Sequence, residues 1–395
     1  MSKKKILILI LIIIFISTGL ILLISFFTNT SELKPVSSDN LEISSETKTD
    51  LVDNLGDNDF GTFEFTFSGW IPYWGSPSGL NSLKNNPSLF SSVSPVWFEV
   101  NKDGSLKNKY PSNKNEVMNF LNENNIELIP AIAMFDHELF TEVLQNQENL
   151  NRHIESIVDT IVNNDFDGID LDYESTKLSD KDRYFEFLST LSKELKAKNK
   201  KLIVTVIAKW GDNITYPSLV ETREVQDWSL IQQYADKIRI MAYDYTFIKS
   251  KFPGPIAPIN WIDEVLKYGV SKVDPKKLVL GVHLYAYEWI GKDESKLPFV
   301  PNMKMNSSGD SEVKAFTYTE VKNILKSNSG KSGTYEGEKI FDYVAKDNIS
   351  RSLVYIDAKG INDRIDLAKK YNLSGIVFWR IGGESDLLTN LDTLD

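Results

Sequence analysis

Asp167-Gly168-Ile169-Asp170-Leu171-Asp172-Tyr173-Glu174 reads as a β-strand, and its reading decides the fold. Side chains alternate faces along a strand, so Asp170, Asp172 and Glu174 share one face and Ile169, Leu171 and Tyr173 the other. Strands of a parallel sheet are ordinarily apolar on both faces. A row of three carboxylates breaks that pattern. Buried unpaired charge is costly, and neighbouring acids cannot all ionise freely. Such a row persists where it performs chemistry or holds a metal. Chance acids on a solvated strand are the bland alternative, and the apolar flank of Ile161, Val162 and Phe166 argues against them. Asp167 has the wrong parity for the acid face; with Gly168 it reads as support for the turn into the strand.

Outward from this strand, β-rich runs alternate with helical patterns. The strand candidates are Phe65–Ile71, Val93–Val100, Ile126–Ala133, Gly168–Glu174, Lys201–Ala208, Lys237–Tyr245, Leu278–Tyr287 and Gly375–Ile381. Helical periodicity covers Asn115–Asn124, Asn149–Asn164, Asp180–Lys198, Ile259–Tyr268 and Ile361–Tyr371. Eight strands alternating with helices predict an α/β fold, a closed (β/α)8 TIM barrel. The spacing between strands seven and eight is much the longest, so residues of about 288–360 read as a small α+β insertion. Within it, Phe316–Tyr318 and Ser352–Asp357 look extended and Thr319–Lys326 helical.

Active sites of such barrels lie where the strands end at their carboxyl side. Glu174 closes strand four, Tyr243 and Asp244 close strand six, Tyr285 and Tyr287 close strand seven, and Trp379 lies in strand eight. Trp70, Tyr73 and Trp74 follow strand one, while Trp97 and Phe98 lie in strand two. The acids are thus expected in a cup lined by aromatic faces, which stack well on sugar rings.

The rest of the chain narrows the class. It has no cysteine, so thiolate metal sites and cysteine nucleophiles are excluded. Its three histidines (His137, His153, His283) are far apart, against a histidine-built metal site; neither metal nor cofactor is expected. The net charge is −11 and no basic face is evident, against nucleic-acid binding. Residues 1–27 place Lys3, Lys4 and Lys5 before an apolar run long enough to span a bilayer, with the lysines favouring the cytoplasmic side. A single-pass membrane anchor with the remainder outside the cell is expected; a cleaved signal peptide, giving a secreted protein, is the rival. Residues 28–64 are Ser-, Asn- and acid-rich and read as a flexible linker, with residues 65–395 forming the barrel domain. Nothing demands more than a monomer.

The acid row, Asp167-Gly168-x-Asp170-x-Asp172-x-Glu174, resembles the signature of glycoside hydrolase family 18, the chitinase-like barrels. Met241-Ala242-Tyr243-Asp244 resembles that family's strand-six motif, and Gly375-Ile376-Val377-Phe378-Trp379 its strand-eight tryptophan. Gly69-Trp70-Ile71-Pro72-Tyr73-Trp74, Val93-Ser94-Pro95-Val96-Trp97-Phe98 and Tyr355-Ile356-Asp357-Ala358-Lys359 are most similar to the bacterial spore-cortex and cell-wall N-acetylglucosaminidase branch. The resemblance runs from about Gly69 to Glu384.

It implies a retaining glycosidase in which the substrate's own 2-acetamido oxygen attacks the anomeric carbon. Glu174 would be general acid and base, its pKa raised by its neighbours. Asp172 would orient the acetamide, Asp170 would share a proton with Asp172, and Tyr243 would hydrogen-bond the acetamide. Trp379 would floor the sugar, with Asp244 and Met241 lining the same subsite; Trp97, Tyr285 and Trp74 are the further sugar-contact candidates. The substrate would be a β-linked glycan containing N-acetylglucosamine. Many chitinases carry Ser-x-Gly-Gly at strand three, whereas this chain has Pro130-Ala131-Ile132-Ala133-Met134-Phe135-Asp136. That departure favours peptidoglycan over chitin-like oligomers. A carbohydrate-binding protein on an inactive barrel, an envelope docking protein and a metal-dependent hydrolase are the competing readings.

Overall fold

The computed structural model describes residues 65–391, apart from 213, 217, 251, 292–311 and 385. The expected membrane segment (1–27) and linker (28–64) lie outside the described residues, among which no helix is long and apolar enough to cross a membrane.

Among the described residues fifteen strands run in chain order. β1 is Thr66–Pro72, β2 Ser92–Val100, β3 Leu106–Asn108, β4 Glu127–Leu128, β5 Ala131–Met134, β6 Gly168–Tyr173, β7 Lys201–Ile207 and β8 Lys237–Met241. β9 is Leu278–His283, β10 Tyr285–Ile290, β11 Glu312–Thr317, β12 Gly330–Tyr335, β13 Glu338–Val344, β14 Ser350–Tyr355 and β15 Gly375–Trp379. Eight of them (β1, β2, β5, β6, β7, β8, β9 and β15) form a parallel sheet that closes on itself where β1 pairs with both β15 and β2. This is the expected (β/α)8 barrel.

Apolar residues on the outer strand faces bury against the helices. Ile169, Leu171 and Tyr173 of β6 are buried there with Ile157, Ile161 and Leu188 in one continuous core. Full burial of each such aliphatic side chain contributes about 1.5–3 kcal/mol. A smaller cluster fills the barrel interior, comprising Trp70, Ala131, Val279 and Val377 with Val96 and Trp379 packed on it.

Local chemistry explains where the elements stop. The expected third strand is cut by Pro130, which has no N–H to donate, so only Glu127–Leu128 and Ala131–Met134 are extended. A helix over His137–Gln145 follows, not anticipated from periodicity; Asp136 caps it by accepting from the Glu138 amide at 2.9 Å. Gly168 is obligatory for close approach, because a Cβ there would lie 2.3 Å from the carbonyl oxygen of Lys201 on β7. Asp167 accepts from the Leu128 amide at 2.7 Å, tying the entry of β6 to β4.

The expected strand seven, Leu278–Tyr287, is two strands. The chain leaves the barrel at Leu284, whose amide donates to the Trp379 carbonyl at 2.7 Å, and continues as β10. Tyr285 and Tyr287 therefore belong to the insertion and do not close the barrel strand. The insertion is an antiparallel sheet in the order β11-β10-β14-β13-β12. The helix Tyr318–Ser327 packs on it and starts in a capping box between Thr317 and Glu320. Sequence reading missed the β12–β13 hairpin, which turns at Glu336-Gly337, both with positive φ (50° and 83°).

Glu338, at the start of β13, fastens the insertion to the barrel. It accepts from the Ile256 and Ala257 amides, each at 2.7 Å, and from the Arg364 guanidinium at 3.0 Å. His283 stands 3.5 Å away, and Glu338, Arg364 and His283 are all fully buried.

Candidate active site

The inward face of β6 carries the acid row, as strand parity requires. The three acids meet different surroundings. Asp170 is fully buried deep in the barrel. Its Oδ1 accepts from the Thr205 hydroxyl at 2.8 Å, and its Oδ2 from the Trp70 indole N–H at 2.8 Å and the Arg239 guanidinium at 2.7 Å. Arg239 also donates to the Ser94 hydroxyl at 2.6 Å and lies 5.3 Å from the Trp70 ring. Both Asp170 oxygens thus accept from these donors.

Asp172 is buried one step nearer the barrel mouth, and its Oδ1 meets no hydrogen-bond donor. Burial, then the charges of Glu174 and Asp170, push its carboxyl well above the usual range. Glu174 follows β6 at the mouth and is half-buried. Burial, with the like charge of Asp244, raises its pKa to about 7. A carboxylic acid with that pKa is still substantially protonated near neutrality and can donate.

Asp244 lies in the loop after β8 with φ 57°, rather than in the strand as expected. It accepts from the hydroxyls of Tyr285 and, at 3.0 Å, Tyr287. Burial raises its carboxyl and these two hydrogen bonds partly offset the effect. Tyr243 packs edge-on against Tyr285 with ring centroids 6.3 Å apart. Burial and then the charges of Asp172 and Glu174 push its phenol well above the usual range, which keeps it a hydrogen-bond donor. Met241 ends β8, half-buried and in register with Ile207.

Beside the acids lies a cavity of about 340 Å³. Trp74, Asp244, Trp379 and Arg380 line it together with Tyr285, Tyr287, Ala315, Phe316, Thr317 and Glu320 of the insertion. Trp379 packs against Trp70 at 6.0 Å, and Trp74 stands 62% exposed at the rim. Asp244 and Trp379 link this cavity to the acid row; Glu174 itself is not part of its lining. Among the described residues no cluster of three acid or histidine side chains is placed to hold a metal ion.

Trp97 is a correction. Ser94 and Val96 of β2 turn into the barrel, so Trp97 turns out, where it is fully buried against Tyr110 and Phe166. It is a core residue and is not part of the lining of the cavity beside the acids. Conversely, Arg239, Thr205 and Ser94 were missed. Arg239 was detectable, since a single Arg inside the apolar run Lys237-Ile238-Arg239-Ile240-Met241, with the parity of an inward residue, requires a buried anion.

The sequence model described as "Glycosyl hydrolases family 18" matches residues 69–384. The chain belongs to that family. Among relatives, it is 25% identical over 326 residues to "Uncharacterized glycosylase YvbX" of Bacillus subtilis, covering 79% of this chain and 86% of that protein. It is 25% identical over 294 residues to the "Cortical fragment-lytic enzyme" of Bacillus anthracis, covering 72% of this chain and 63% of that protein. The spore cortex-lytic enzyme SleL of Bacillus megaterium superposes with a TM-score of 0.69 at 22% identity, over 83% of this chain and 74% of that one. A Chromobacterium violaceum chitinase gives 0.70 at 19% identity, over 82% and 96%. The family 18 chain is therefore a glycosidase on the chitinase-like barrel, similar to the spore-cortex branch.

Proposed function

We propose that this family 18 glycosidase hydrolyses β-linked N-acetylglucosamine-containing glycans, peptidoglycan foremost, by a retaining, substrate-assisted mechanism. The observation that carries the reading is Glu174, a proton-donating carboxyl at the mouth of the barrel whose pKa is raised to about 7, one alternation along the strand from Asp172.

In the proposed sequence Glu174 gives its proton to the glycosidic oxygen as the bond to the anomeric carbon breaks. The acetamido oxygen of the same sugar closes on that carbon, forming an oxazolinium ring. Asp172, whose Oδ1 has no protein partner, accepts the acetamide N–H and offsets the positive charge of the ring. Tyr243 hydrogen-bonds the acetamide and Trp379 supports the sugar. Glu174, now a carboxylate, takes a proton from the water that opens the ring, with retention. Asp170, held by three donors, anchors the row.

The substrate preference draws on the similarity to cortex-lytic proteins. For location, we propose that residues 1–27 anchor the chain and that the linker presents the barrel outside the cell; membrane fractionation of the full chain against a chain lacking 1–27 tests this.

The mechanism is tested with paired glycans that do and do not carry the N-acetyl arm. Cleavage of the acetylated glycan alone, with N-acetylglucosamine at the new reducing ends by mass spectrometry, is the expected result. Equal cleavage of the deacetylated glycan would overturn it.

A further inference from the structure

We infer that Arg380 reads a carboxylate on the glycan, so that the cavity selects an acid-bearing strand over a neutral one; this rests on the proposed function and specifies its substrate.

Arg380 directly follows Trp379 and lines the same cavity. Its Nη1 is buried and has no hydrogen-bond partner, and among the described residues no carboxylate stands within ion-pairing distance of the guanidinium. A guanidinium that is half-buried without an anion is costly, whereas one that finds a carboxylate gains a charge-assisted, two-pronged hydrogen bond.

The neighbouring acids are committed elsewhere. Glu384 accepts from the Ser82 hydroxyl and from the Gly383 amide at 2.8 Å. Glu320 is held in its capping box, accepting from the Thr317 amide and hydroxyl, each at 2.7 Å. Arg380 feels both acids only at longer range. Among the described residues it is also the one cation in a cavity lining that includes Asp244 and Glu320. Long-range attraction of an anion is therefore not the device. Local recognition by the planar fork is.

A second feature is built around the same group. Gly75 backs the guanidinium so closely that a Cβ there would lie 2.6 Å from Nη1. The glycine makes room for the fork. Its own φ of −101° is open to any residue, so alanine at 75 would displace the guanidinium without straining the backbone.

In chitin every sugar is neutral. In peptidoglycan each N-acetylglucosamine is flanked by a sugar bearing a lactyl ether, which presents either its own carboxylate or a peptide stem with carboxylates. A group beside the sugar-supporting Trp379 is placed to meet that flanking substituent.

The test uses the full chain and four glycan preparations. Strands stripped of their stems expose the lactyl carboxylate, and stem-bearing strands carry peptide carboxylates. Each is also used after chemical reduction of its carboxyls to alcohols. A charge-assisted hydrogen bond predicts that kcat/KM favours the carboxyl over the alcohol form by about 10- to 100-fold. In Arg380→Gln this ratio falls to about one, and in Gly75→Ala it falls partway. Selectivity on stripped strands assigns the lactyl arm; selectivity confined to stem-bearing strands assigns the peptide. A ratio near one in the wild type, or an unchanged ratio in Arg380→Gln, overturns the inference.

Should Arg380→Gln fail to fold, the wild-type ratio and Gly75→Ala still decide. If no glycan is cut at all, the glycosidase reading fails, and calorimetric binding of the carboxyl and alcohol forms to the same chain judges Arg380 separately. Equal affinity for both forms would then dismiss it.

Discussion

Asp170 in β6 and Glu174 just past its end stand four residues apart and could hardly be treated more differently. Asp170 is enclosed by the Trp70 indole, the Thr205 hydroxyl and the Arg239 guanidinium. Glu174, at the mouth, has like charge for company and a pKa raised to about 7. The same residue class along one short stretch becomes an anchor at one end and a proton donor at the other. Depth in the barrel and the identity of the neighbours decide which. The middle acid, Asp172, is pulled by both ends, with burial and both flanking charges raising it.

The contrast is broken most severely by Glu174→Gln, which removes the titrating end and leaves the anchored one. Turnover is expected to fall by about 10²–10⁴-fold or more, the usual worth of a positioned general acid. At pH 4 an unchanged Tm would accompany it, and wild-type turnover would refute the assignment.

Removing the anchor comes next. Arg239→Met leaves Asp170 buried without its counter-charge, which costs about 3–5 kcal/mol of stability. Denaturant unfolding measures this. An effect below about 1 kcal/mol would show that Thr205 and Trp70 hold Asp170 unaided.

The raised pKa of Glu174 gives a third expectation. The acid form donates, so kcat/KM falls as pH rises through about 7. Stability follows the same sign. A carboxyl whose folded pKa lies above its unfolded value favours the native state at low pH, and that advantage is lost as pH rises from about 4.5 to about 7. Glu174→Gln should therefore raise Tm relative to wild type at pH 8 but not at pH 4, scored by scanning calorimetry.

The smallest expected effect refines the cause. Asp244→Asn removes the like charge that helps raise Glu174. The alkaline limb of kcat/KM should move to lower pH, by less than about one unit, because burial remains the larger cause. A shift to higher pH would mean that Asp244 acts chiefly through Tyr285 and Tyr287.

Much of this site could be read from residues alone, because parity along β6 is a strong constraint and a row of acids on an inward face is costly unless it is used. The eight strands and the place of the insertion followed from period and spacing. What escaped notice did so for identifiable reasons. Leu278–Tyr287 carries one unbroken alternation, so nothing local marks the change of sheet at Leu284. Trp97 was assigned by residue type and not by parity, which puts Ser94 inside and Trp97 outside. The pairing of Arg239 with Asp170 spans 69 residues and needs the closed barrel to bring the two together. Arg380 lies one residue beyond the tryptophan that dominated the reading of strand eight.

Glu338 has one consequence for anyone wishing to shorten this protein. Excising the insertion to obtain a minimal barrel would delete the carboxylate and strand Arg364, together with His283, in dry surroundings. Pruning the lobe therefore requires rewriting the wall it leaves behind, with apolar side chains at 283 and 364, before the trimmed chain could be expected to fold.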